Sequence, residues 1–250
     1  QQIYHTCTYV NPLYQEEMTA AELKTTKNDD SQESSVNYLT SESEICKELR
    51  EALVERKNTI TLHYESQSYD KTDPTRFFEK AVAHTGKPTE GDYLKWQYAG
   101  WDATQSGHVD GNTYYLTIKY TMTWYTTAKQ ETALDVKINR ILQSLDLDGK
   151  SDYEKVSAIY SYVCQHVTYD SKHDADDLYK LKYTAYAAAI NGTSVCQGYS
   201  VLLYRLLLEE GTDCRFISGT ANGENHSWNI VKLGGKYYNL DATWDAGSDT

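Results

Sequence analysis

The sequence predicts an α+β protein, on two kinds of signal spread along its 250 residues. Apolar and polar residues alternate over 59–64 and along 113–125, and strand-like runs flank Gly234-Gly235, a favoured two-residue hairpin loop. Apart from these strands, apolar stripes recur at helical spacing, two of them opened by Ser-x-x-Glu boxes at Ser41 and Ser151. Hairpin strands with helices set apart from them are the α+β pattern.

In chain order, residues 3–10 read as an extended segment, and 25–40, mostly Ser, Thr, Asn, Asp and Glu, as a loop or linker. Ser41-x-x-Glu44 is a capping box, in which hydroxyl and carboxylate each satisfy a backbone N–H left open at a helix start. Ile45, Leu49, Ala52 and Leu53 follow on one helical face, and residues 59–64 form a strand. Asp73-Pro74 opens a second helix through Phe77, Phe78, Ala81 and Val82; proline at the first position gives up no hydrogen bond. Strands are then expected over 92–101 and 113–125, with the turn in 107–112. Trp96, Trp101 and Trp124 are expected to cover this sheet, the alternative being a carbohydrate- or peptide-binding face that targets the rest of the chain.

From residue 126 the pattern turns helical: Leu134, Ile138, Ile141, Leu142 and Leu145 make one stripe. After the Ser151-x-x-Glu154 box, Val156, Ile159, Tyr160, Val163 and Val167 make the next. Asp146-Leu147-Asp148-Gly149 fails as a calcium loop, because Lys150 takes a ligand position and the glycine comes early, so it reads as an interhelical turn. Residues 170–177, with His173, read as a solvated acidic loop in preference to a metal site, and border the approach to Cys196. A strand over 214–220 precedes the hairpin of 227–233 and 236–240. The expected organisation is an extended and linker segment over 1–40, a small α+β unit over 41–125 and a larger unit over 126–250.

The net charge is −12, with 12 basic and 19 acidic residues in 1–125 and 12 and 17 in 126–250. Acid spread so evenly argues against nucleic acid or anionic lipid as partner and suits neutral or basic peptides. No apolar run approaches the roughly 20 residues of a membrane span. The chain does not begin with Met, as expected of a mature or trimmed form, and it ends soon after Asp241, so a further segment is expected. Of five cysteines, Cys46, Cys164 and Cys214 are expected to be buried free thiols, and no CxxC pair suggests a zinc or redox motif.

The stretch 193–245 holds the chemistry. Asn191-Gly192-Thr193-Ser194 combines a turn with a hydroxyl N-cap, and Tyr199, Leu202, Leu203 and Leu206 continue at helical spacing, so Cys196 falls in a first helical turn. The positive helix end favours a thiolate there, and its open N–H groups suit an oxyanion. Gly198, unfavourable in a helix, implies close approach either of a substrate or of packed structure. With Gly234-Gly235 as the loop, Trp228 pairs with Asp241 and His226 with Thr243, which makes His226 and Asp241 diagonal neighbours on one side of the ladder. Diagonal neighbours lie about 7–8 Å apart, within side-chain reach, and a slip of one residue would separate them. Thiol, imidazole and carboxylate are the parts of a nucleophilic triad.

Val195-Cys196-Gln197-Gly198-Tyr199-Ser200, His226-Ser227-Trp228-Asn229 and Leu240-Asp241-Ala242-Thr243-Trp244 resemble the core of the transglutaminase-like superfamily, over roughly residues 150–245. Together with Thr184-Ala185-Tyr186 and Asn191-Gly192, they are most similar to its bacterial, often surface-exposed branch. The resemblance implies a papain-like core, helices packed on an antiparallel sheet, and an extracellular or cell-surface place. It implies Cys196 as nucleophile, His226 as general base and acid and Asp241 as orienting carboxylate, with Gln197, Gly198 and Trp228 toward the substrate. The expected reaction is acyl transfer on a peptide or protein amide through a thioester, needing no cofactor or metal. The alternative is a catalytically silent surface or adhesion module that keeps the fold.

Overall fold

The computed structural model describes residues 2–10 and 36–246. Strands β1 (Gln2–Val10), β2 (Thr59–Ser66), β3 (Tyr98–Asp110) and β4 (Thr113–Trp124) form one antiparallel sheet in the order β1-β3-β4-β2. Residues 2–10 are thus an edge strand of this sheet, and the stretch read as a linker lies outside the described residues up to position 35. Alternation sends Ile60, Leu62 and Tyr64, with Ile118, Tyr120 and Met122, to one face. Helices α1 (Glu42–Val54) and α2 (Pro74–Ala81) cover that face with Ile45, Leu49, Leu53, Phe77 and Phe78. The Ser41–Glu44 box is formed, and Asp73 caps α2 ahead of Pro74 by accepting from Thr75 N.

Two expectations change here. Asp92–Lys95 is one turn of helix, α3, and the strand starts only at Tyr98. The Asp92 carboxylate accepts from Arg215 Nε at 2.7 Å and from the Phe216 amide at 3.1 Å, partners that no local pattern reveals. Gly107, expected in the turn, lies within β3 opposite Leu116; a Cβ there would stand 2.0 Å from the Tyr115 carbonyl oxygen. The glycine serves close strand approach, and the turn itself is Gly111-Asn112.

The second half packs helices on another antiparallel sheet. Helix α6 (Cys196–Glu209) lies against β7 (Cys214–Ala221) and β8 (Glu224–Leu233) of a sheet completed by β9 (Lys236–Leu240), in the order β7-β8-β9, while α5 (Asp152–His166) packs on α6 and α4 (Ala128–Ser144) joins the same core. Capping boxes at Thr127–Gln130 and Ser151–Glu154 start α4 and α5. Helix α6 is the centre of this core, with Tyr199, Leu202, Leu203, Leu206 and Leu207 fully buried.

The halves are keyed together by side chains from both. Tyr93 and Trp96 belong to the second core, where Trp96 stacks on Phe216 at 4.6 Å. Trp101 is buried on Phe78 at 4.4 Å, and Arg56, over the Trp124 ring at 4.7 Å, pairs with Glu131 at 3.1 Å. The indoles of Trp96 and Trp101 are therefore packing material. No helix among the described residues is long and apolar enough to cross a membrane.

Candidate active site

Cys196 is the first residue of α6, where the sequence places it, but the helix start differs from the expected one. The N-cap is Val195, which has no side-chain cap bond, and the first turn has no acidic residue. Ser194 instead belongs to β6 (Thr193–Ser194), which pairs in parallel with β5 (Thr168–Tyr169); its buried Oγ has no partner. Tertiary pairing has taken the hydroxyl away from the cap. Without a capping carboxylate or hydroxyl, the positive helix end stays available to an anion at Cys196.

Gly198 follows from the same arrangement. A Cβ there would lie 2.6 Å from Ser194 Cβ and 2.9 Å from the Thr184 carbonyl oxygen. The close approach is thus to β6 and to the backbone leading into it. Gln197 is buried, and its amide donates to the Trp96 carbonyl at 2.7 Å, anchoring the nucleophile turn on the first half of the chain.

Across the cleft, β8 pairs with β9 in the register the two-glycine loop requires: Asn229 opposite Leu240 and Leu233 opposite Lys236. Gly234 and Gly235 have φ of 54° and 78°, the left-handed values of a tight hairpin turn. The chain leaves β9 at Leu240, so Asp241 is the first residue beyond the strand. Its Oδ2 lies 2.7 Å from His226 Nε2. That contact leaves Nδ1 as the ring nitrogen open to the thiol, and Cys196 and His226 line the same cleft.

The His226 pKa is pushed up to about 9. The neighbouring Cys196 side chain contributes most, burial opposes it, and the hydrogen bond and charge of Asp241 add to the rise. The imidazole is only 9% exposed, and the Trp244 and Trp228 rings run nearly parallel to it, with centroids at 5.1 and 6.1 Å. Trp228 Nε1 donates to Asn239 Oδ1, so that indole is fixed beside the histidine.

Two ties that sequence reasoning missed set the spacing between α6 and β8. Asn229 Nδ2 donates to the Ser200 carbonyl at 3.0 Å, and the Ser200 and Ser227 hydroxyls are 3.3 Å apart. Ser227 and Asn229 face α6, as strand alternation allows for residues two apart. The available signal was this parity: polar residues two apart on a strand otherwise facing a leucine-rich helix.

Cys196 and His226 line a cleft of about 280 Å³ together with Tyr169, Asp174, Asp177 and Glu224. The acidic loop does border the cleft. It is fixed by Lys182, whose buried ammonium donates to the His173 and Asp174 carbonyls at 2.7 and 2.6 Å. The Tyr169 hydroxyl donates to Asp174 Oδ1 at 3.1 Å, and burial first, then the Asp174 carboxylate, hold it above its ordinary pKa. His173, weighed as a metal ligand, bonds Asp170 through Nδ1 instead. Among the described residues no group of three or more His, Cys, Asp or Glu side chains is arranged to hold a metal ion.

None of the five cysteines is in a disulfide. Cys46, Cys164 and Cys214 are buried, and burial raises each thiol pKa, that of Cys164 to about 11. Cys196 is partly exposed at the cleft.

Comparison with known proteins bears on the same half of the chain. Residues 139–242 match the family model described as the transglutaminase-like superfamily. The chain is similar to the kyphoscoliosis peptidase of Mus musculus, 26% identical over 122 residues, 44% of this chain and 18% of that protein. The Homo sapiens kyphoscoliosis peptidase is 29% identical over 136 residues, 48% of this chain and 20% of that protein. The chain thus spans about a fifth of the length of the curated relatives it matches. Both are mammalian, which lends no support to the expected bacterial branch. A solved structure described as "Crystal structure of a TGase" aligns with 76% of this chain and 52% of its own, at 18% identity and a TM-score of 0.43.

Proposed function

We propose that this chain, whose residues 139–242 form a transglutaminase-like domain, performs thiol-dependent acyl transfer on peptide or protein amides. The observation that carries the reading is a single imidazole hydrogen-bonded to Asp241 at 2.7 Å, sharing an open cleft with the thiol at the uncapped start of α6. In this reading the Cys196 thiolate adds to the amide carbonyl, and N–H groups of the first helical turn receive the oxyanion. The C–N bond breaks as the His226 imidazolium gives its proton to the departing amine, leaving a thioester on Cys196. Neutral His226 then takes a proton from water, whose oxygen forms the new acyl bond as the thiolate leaves; an amine in place of water gives transamidation. Asp241 keeps the ring turned so that Nδ1 meets the sulfur.

The peptidase name of the two mammalian relatives favours the hydrolytic version. The carboxylates of Asp174, Asp177 and Glu224 on the cleft wall favour a neutral or basic peptide over an acidic one.

The test is iodoacetamide at limiting dose near pH 6, read by peptide mapping. Cys196 is expected to be labelled ahead of Cys46, Cys164 and Cys214, and His226→Ala to remove that lead. Cys196 reacting no faster than the buried cysteines in the native protein would leave the fold as a silent surface or adhesion module.

A further inference from the structure

We infer that Trp244 is a positioning residue of the Cys196–His226–Asp241 site, clasping the imidazolium and the carboxylate together and covering their hydrogen bond. This rests on the acyl-transfer reading for its purpose, and on geometry alone for its substance. The indole lies 5.1 Å from the imidazole ring, 16° from parallel. The backbone N–H of the same residue donates to Asp241 Oδ1 at 3.3 Å, while Oδ2 takes His226. One residue therefore touches both partners of the pair, one through its ring and the other through its amide.

The exposure pattern supports this role. Trp244 is 61% exposed, so as packing material it contributes little, yet His226 beside it is 9% exposed at the edge of an open cleft. What the indole covers is the histidine. The turn carrying it is anchored on both sides: Ala242 is buried in the core, and Asp245 Oδ2 accepts from the Tyr160 hydroxyl on α5 at 2.6 Å. A π face over a cation favours the charged ring, and an indole over the His–Asp bond keeps water from competing for it. Trp228, farther away and tied to Asn239, flanks the ring without contacting Asp241 through its own amide.

The ionisable groups facing His226 are Cys196 on α6 and Asp241 after β9; Glu224 of β8 and Asp174 and Asp177 of the acidic loop line the same cleft. Removing the indole leaves all of these in place, so its contribution can be read separately.

The experiment uses the full chain with Trp244→Ala, Trp244→Phe and, as a variant keeping apolar cover without a π face, Trp244→Leu. Two quantities are read: the titration midpoint of the His226 ring protons by NMR, and the pH profile of Cys196 alkylation by iodoacetamide. Trp244→Ala and Trp244→Leu are expected to lower the His226 midpoint by about half a unit to one unit, and Trp244→Phe to restore most of it. The alkaline limb of the alkylation profile is expected to move with the midpoint. A midpoint unchanged in folded Trp244→Ala or Trp244→Leu, or a Phe variant that falls as far as Leu, overturns the inference. Failure of the acyl-transfer reading looks different: wild-type Cys196 then shows no labelling lead, whatever Trp244 does to the histidine.

Discussion

Replacing Asp241 by Asn keeps the shape of the side chain beside His226 and removes its charge. Cys196, with Asp241 beside it, pushes the imidazole pKa up to about 9 from an ordinary 6.5, against the opposing effect of burial. At about 1.36 kcal/mol per unit, that rise corresponds to roughly 3 kcal/mol at most in favour of the charged ring, reduced by solvent screening at the edge of the cleft. An opposite charge this close typically moves a pKa by about 1–3 units, so Asp241→Asn is expected to bring the midpoint down to roughly 6–8.

The same shift has a stability consequence with a definite sign. The folded pKa lies above the unfolded one, so the contribution is complete below about 6.5 and is lost as pH rises through about 9. Urea unfolding at pH 6 and again near pH 10 should show the native protein losing up to about 3 kcal/mol more than His226→Gln over that window, and Asp241→Asn losing correspondingly less. NMR titration of the ring protons measures the midpoint directly. A native midpoint near 6.5, or one still near 9 in Asp241→Asn, would refute the claim that this carboxylate holds the proton on His226.

Gly198→Ala forces a methyl group against Ser194 and the Thr184 carbonyl, and should cost about 1–3 kcal/mol in thermal or urea unfolding while slowing Cys196 labelling, because the nucleophile turn must shift. Unchanged stability and labelling would show that the backbone gives way easily there. Neutralising the cleft wall, as Asp174→Asn with Asp177→Asn, should slow turnover of basic peptides relative to neutral ones by a few-fold at low ionic strength, with the difference fading by about 1 M salt. Cys196 alkylation by neutral iodoacetamide should not change in that variant, and a loss there would mean that the loop, rather than its charge, matters.

Local rules carried much of the architecture. The boxes at Ser41 and Ser151 were legible because each needs only residues three apart, and both form. The Gly234-Gly235 loop fixed the β8–β9 register, because a two-residue turn leaves one pairing; the ladder ends at Asn229–Leu240, so the expected pairs of Trp228 with Asp241 and His226 with Thr243 do not form, and His226 meets Asp241 just beyond the strand. The helical stripe after Cys196 likewise placed the thiol at a helix start.

What the tertiary structure decided depends on partners far along the chain. Asp92 is helical because Arg215 and Phe216 hold its carboxylate, and β1 joins a sheet whose neighbouring strand begins at Tyr98. Ser194 fails to cap α6 because it pairs with Tyr169, and that failure is what leaves the helix end open at Cys196. Gln197, expected toward the substrate, lines the cleft and has its side-chain amide on the Trp96 carbonyl. The acidic residues lining the cleft with Cys196 and the indole of Trp244 over His226 come from loop paths that no periodicity specifies. Sequence pattern determines elements through neighbours within a turn or a ladder pair; which side chains face one another across a cleft is settled only when separate elements pack.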